Sequence, residues 1–157
     1  MDPVTITAAI TAASAGVDLI NKIADKVIPF ITGSQPLNKE HRMSIEGDGD
    51  KIVAKEHGRE VKVITGEDLK NLPIDMLEHI QVYEKAARNN YELWKAVYPQ
   101  RNASTDPIVN AKVDQQLRGI VANMKNDLDG ILRFLENAGI QLDDHYAKFR
   151  DAIQQSG

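Results

Sequence analysis

The chain has no cysteine among its 157 residues. Disulfides, thiolate nucleophiles and cysteine-ligated zinc are excluded together, and the absence fits a reducing compartment. A strong charge is also missing: 19 Lys and Arg against 23 Asp and Glu leave a net −4. Dedicated nucleic-acid binders carry a basic face, so nucleic acid is not an expected partner. Neither GxGxxG nor GxxxxGK[ST] occurs, so no phosphate-cradling loop is expected. No serine sits in a tight glycine turn of the nucleophile-elbow type. A long apolar run is lacking too. The uncharged stretch Pro3–Val17 is 15 residues long and is broken by Thr5, Thr7, Thr11 and Ser14, whereas a simple span needs about 20 apolar residues. A secretory signal opens with positive charge. Here the second residue is Asp2 and the first lysine is Lys22, so the expected location is cytoplasmic.

What is present is amphipathic helix. Asp2 and Pro3 form an N-cap followed by a proline at the first helical position. Apolar residues then recur at Ile6, Ile10, Ala13, Val17, Ile20, Ala24, Val27 and Ile31, a heptad-like 4-3 seam. Pro29 is expected to kink or end this helix, and Gly33 and Pro36 to close it. Thr7, Thr11, Ser14, Asp18, Lys22 and Asp25 make one narrow polar stripe. Most of the remaining circumference is apolar, wider than the face of an ordinary surface helix. Ala8, Ala12 and Gly16 add a small-residue ridge that permits close backbone approach.

The period then changes. Three short strands are expected near Met43–Glu46, Lys51–Glu56 and Glu60–Ile64, with turns at Gly47-Asp48-Gly49 and His57-Gly58. Thr65 should cap a short turn containing Glu67 and Asp68. Pro73 begins a long helix whose seam reads Met76, Ile80, Tyr83, Ala87, Tyr91, Trp94 and Tyr98. Asp106-Pro107 repeats the cap-plus-proline signature. It opens a helix with the clearest period in the chain: Val113, Leu117, Ile120, Met124, Leu128, Ile131 and Leu135, stopped by Gly139. A last helix starts about Asp143, with Leu142, Tyr146, Phe149 and Ile153 on one face. The expected fold is α+β and predominantly helical: a long N-terminal helix, a small β-meander, a C-terminal antiparallel helical hairpin and a terminal helix. Residues 1–33 form an N-terminal arm and 34–157 the hairpin-plus-helical domain, the two making one compact unit.

Chemistry is sparse. Of the four histidines, His41 falls in the linker, His57 in a turn, and His79 four residues after Asp75 on one helix face. Asp75 and His79 would offer two metal ligands, and a site needs more. Asp143, Asp144 and His145 offer acid–base groups, but carboxylates at a helix start serve capping. The segment Glu46–Asp50 fails the calcium-loop pattern because Lys51, Ile52 and Val53 follow. No catalytic, cofactor or metal residues are assigned, and the chain is not expected to be an enzyme. Four aromatics fall in Tyr83–Tyr98 among Lys85, Arg88, Lys95 and Arg101, an interleaving known from single-strand binders. Glu84 and Glu92 dilute it, and helical spacing favours core packing. Tyr91, Trp94 and Tyr98 remain a candidate aromatic contact surface.

The opening "MDPVTITAAITAASAG" is similar to the starts of HeLo-type fungal effector domains and bacterial effector-associated domains. In those families the resemblance implies a helix used for self-association or membrane attack, triggered by a partner. Such domains are all-helical, and the β-rich middle departs from that pattern. The stretch from Asn89 to Tyr146 resembles helical segments of uncharacterised bacterial proteins, with no activity attached.

The expected function is a non-enzymatic interaction and self-assembly module, in a bacterial effector or defence setting. Its contact residues would be Ile6, Ala8, Ile10, Ala12, Ala13, Gly16, Val17, Ile20, Ala24, Val27 and Ile31, engaging a second copy, a partner protein or a membrane. A membrane-active effector whose N-terminal helix inserts on activation is the alternative. The scarcity of cations, with only Lys22 and Lys26 on that helix, weighs against it. A phage or particle subunit is the second alternative.

Overall fold

A computed structural model describes residues 3–33, 43–48, 50–56, 59–142 and 144–155. The expected cap residues Asp2 and Asp143, the linker residues Pro36 and His41, and the turn residues Gly49, His57 and Gly58 lie outside them. Helix α1 spans Pro3–Thr32, strands β1, β2 and β3 span Met43–Asp48, Lys51–Glu56 and Arg59–Thr65, and α2 is the short Gly66–Leu69. Helix α3 spans Ile74–Val97, a 3-10 turn covers Tyr98–Gln100, and α4 (Pro107–Asn137) and α5 (Asp144–Gln155) complete the chain. The fold is α+β and mostly helical.

The caps follow local chemistry. Thr65 and Asp68 form a reciprocal capping box, with each backbone N–H donating to the other's side chain at 2.9 and 3.2 Å. Bonding from the Thr65 backbone N–H holds the Asp68 carboxyl below its ordinary value. Asp106 caps α4 by accepting from the Ile108 N–H at 2.9 Å. Gly139, at φ 100°, ends it. Pro29 does not end α1. It lies in the last turn, where its missing N–H costs the ladder one hydrogen bond, and the helix runs on to Thr32. Gly33, at φ 68°, is the actual stop, donating to the Pro29 carbonyl at 2.9 Å.

The sheet has order β1-β2-β3, antiparallel throughout, with Ile45 opposite Ala54 and Ile52 opposite Ile64. Gly47 is not a turn residue. It pairs with Ile52 inside β1, and a Cβ there would approach the Ile10 side chain to 2.9 Å. A glycine at this point lets the strand press onto α1. Ser14 fixes the same contact by donating to the Ile45 carbonyl at 2.8 Å.

Helix α1 is the centre of the molecule. It packs against α3, α4, α5 and β1. Gly16 meets Ile131, and Phe30 lies beneath Arg118, so α1 and α4 run antiparallel. Tyr83 lies on Gly130, so α3 and α4 are antiparallel as well. Every seam position expected on α4 is buried. The seam of α3 differs from expectation: Leu77, Ile80, Glu84, Ala87, Tyr91, Trp94 and Val97 are buried, while Met76, Tyr83 and Tyr98 sit at its margins. Burying one large aliphatic side chain contributes about 1.5–3 kcal/mol. α1 alone supplies Ile6, Ile10, Val17, Ile20, Ile23 and Val27 to this core.

Candidate interaction surface

The eleven residues expected to make contacts on α1 are interior here. Nine of them are buried, and only Ala8 and Ile31 are partly exposed. The small-residue ridge serves packing within the chain: a Cβ at Gly16 would stand 3.0 Å from Ile131. The apolar circumference that demanded cover on two sides is covered by α3, α4, α5 and β1 of the same chain. In this conformation α1 presents outward mainly its polar stripe, with Thr7, Thr11, Asp18 and Lys22 exposed and Lys22 paired to Asp18 at 3.1 Å.

The aromatic set divides in two. Tyr91 and Trp94 are buried, Trp94 at 2% exposure, whereas Tyr98 is 39% exposed. Burial also pushes the Tyr91 hydroxyl above its usual pKa. Tyr98 stacks on Trp94 with centroids 4.6 Å apart and planes 22° apart. Phe30, from the end of α1, meets Trp94 edge-on at 5.9 Å and Tyr98 at 6.3 Å. These offset and edge-to-face arrangements are the preferred geometries of ring pairs. The exposed Tyr98 ring is therefore held by a buried stack rather than left to swing.

Two guanidinium groups complete this end. Arg101 lies 4.9 Å and Arg118 5.2 Å from the Phe30 ring centre, within cation–π range. Arg101 also donates from Nε to Asp114 Oδ1 at 2.9 Å, across from the connection to α4. Burial works against its charge, but hydrogen bonds to Asp114 and Tyr98 outweigh that and leave its pKa raised. The first turn of α4 carries Ile108, 68% exposed, and Val109, 44% exposed. Two exposed apolar side chains thus stand close in sequence to a fixed tyrosine and two arginines. The sequence hinted at this patch through the aromatics alone. Arg118 was missed because it belongs to another helix, and only the packing of α1 against α4 brings it to the Phe30 ring beside Tyr98.

The other candidates stay apart. Asp75 and His79 line one trough between α3 and α4, but among the described residues no group of three or more His, Asp or Glu could hold a metal. No helix among the described residues is long and apolar enough to cross a membrane. No protein-family model matches this chain, and no curated protein or solved structure shows detectable similarity to it.

Proposed function

We propose that this chain is a non-enzymatic protein–protein interaction and self-assembly module, and that it makes contact through the Tyr98 end rather than through α1. The observation that carries the reading is the exposed Tyr98 ring held on buried Trp94, with Arg101 and Arg118 alongside. Tyr, Trp and Arg dominate the energetics of protein interfaces: the rings offer large contact area with few rotamers to immobilise, and the guanidinium offers a planar fork of donors. Ile108 and Val109, exposed in the first turn of the helix that carries Arg118, would add apolar area. The bacterial effector or defence setting implied by the N-terminal resemblance is compatible with such a module.

The membrane-active alternative asks more of the fold. It requires α1 to withdraw Ile10, Val17, Ile20 and Val27 from the core, at about 1.5–3 kcal/mol for each side chain re-exposed. Nothing observed in the structure favours it.

The test is light scattering coupled to size-exclusion chromatography, over a concentration series of the full chain. The expected result is a mass that rises with concentration, and a variant carrying Tyr98→Ala and Ile108→Asp that stays monomeric while keeping its circular-dichroism spectrum. A monomer at all concentrations, or association unaffected by that variant, overturns the reading.

A further inference from the structure

We infer a small-ligand site in the trough between the first half of α3 and the end of α4, shaped for an aromatic amino acid. The trough has a volume of about 250 Å³, just below the range of drug-sized pockets. Tyr83 lines it from the margin of the α3 seam. The next residue, Glu84, is buried in its place and pairs with Arg88 at 3.2 Å. Tyr83 instead lies flat on α4 at Gly130, where a Cβ would come within 2.5 Å of its ring. The phenol ring forms one end wall. Met76 and Phe134 supply apolar lining.

The two lips carry opposite charge. On the α3 side stand Asp75 and His79, one helical turn apart, with the His79 ring 6.0 Å from that of Tyr83. On the α4 side stands Arg133, whose Nε pairs with Asp129 at 2.9 Å while its side chain remains 58% exposed. A guanidinium fork matches a carboxylate, and a carboxylate matches an ammonium group. A ligand that satisfies both lips and the apolar lining has an aromatic ring, a carboxylate for Arg133 and an amine for Asp75. A free aromatic amino acid carries all three, with a methylene between ring and backbone that lets the ring reach the apolar lining while the charged groups meet the lips. Its ring would settle against Met76 and Tyr83, where thioether–ring and ring–ring contacts are favourable.

The test is titration of the ¹⁵N-labelled full chain with L-phenylalanine and L-tryptophan, followed by amide and His79 imidazole shifts. Expected are shifts confined to residues 74–83 and 130–137, with a Kd on the order of 1 mM, as befits about a dozen ligand atoms. Arg133→Gln should weaken binding about tenfold. It should not disturb the fold, because Asp129 keeps its second partner Arg150 at 3.1 Å. 3-Phenylpropionate, lacking the amine, and phenethylamine, lacking the carboxylate, should each bind about tenfold more weakly than phenylalanine. Absence of shifts at about 10 mM of either amino acid, binding that ignores Arg133→Gln, or equal binding of 3-phenylpropionate overturns the inference.

Discussion

The two ends of the α3–α4 hairpin treat aromatic rings in opposite ways. Toward the connection between the helices, Tyr91 and Trp94 occupy seam positions and are buried, and Tyr98 stacks outward on Trp94. Toward the other end, Tyr83 is displaced from the seam by Glu84 and rests on the bare backbone of Gly130. At one end the rings consolidate the core and stiffen an exposed platform. At the other, a ring turned aside leaves a trough. The difference shows that a polar residue in a helical seam shapes the surface beside it, because the aromatic neighbour must find cover elsewhere.

The largest expected effect breaks the consolidated end. Trp94→Ala should lose about 3–5 kcal/mol in chemical denaturation, the usual cost of removing a buried large aromatic. Trp94→Phe should cost only about 1 kcal/mol. It keeps most of the ring, and it deletes an indole N–H that finds no acceptor among the described residues.

The next prediction concerns the displaced end. Glu84 is 6% exposed, and Arg88, its partner, is half-exposed. Replacing a buried ion pair with an apolar residue of similar volume is often neutral or stabilising. Glu84→Met should therefore raise the denaturation midpoint, by about 1–2 kcal/mol in stability. A loss of more than about 1 kcal/mol would mean that the pair with Arg88 is net favourable despite its burial.

Two glycines of α4 sharpen the same contrast with opposite signs. A Cβ at Gly119 meets nothing within 4 Å, so Gly119→Ala should gain about 0.5–1 kcal/mol through helix propensity alone. Gly130→Ala gains the same propensity but must push Tyr83 off its bed, for a net loss of about 1 kcal/mol. Parallel thermal melts of the two variants read this directly. Equal shifts would mean that Tyr83 moves aside without cost.

The smallest effect is electrostatic. Burial raises the pKa of Asp127 above its usual 3.8. Just above that pH the folded state holds more protons than the unfolded state, so stability falls as pH rises through this window. Asp127→Asn should therefore be slightly stabilising at neutral pH, by under about 1 kcal/mol given solvent screening. The advantage should vanish below about pH 3.8, which pH-dependent urea midpoints would show.

Much of this fold was legible in the sequence where periodicity is uninterrupted. The α4 seam from Val113 to Leu135 is buried at every expected position because no competing residue falls on it. The Thr65 and Asp106 caps follow from short-range hydrogen bonding that one sequence window contains. The α3 seam was misread at Tyr83 because a glutamate at the next position does not announce itself as core. Ile80, Ala87, Tyr91 and Trp94 keep their expected places, while Leu77, Glu84 and Val97 stand in for Met76, Tyr83 and Tyr98. Gly47 was misplaced for a related reason: whether a glycine makes a turn depends on what packs against it. The breadth of apolar surface on α1 was readable, but the identity of its cover was not. That depends on α3, α4 and β1 closing around it across long sequence separations.

The central claim is that α1 is interior and that contact is made at the Tyr98 end. Hydrogen exchange read by mass spectrometry, at low and high protein concentration, tests both halves at once. The account predicts that amides of residues 9–28 exchange among the slowest at either concentration, and that residues 93–118 gain protection as concentration rises. Rapid exchange in residues 9–28, or protection gained there instead of at 93–118, would contradict it.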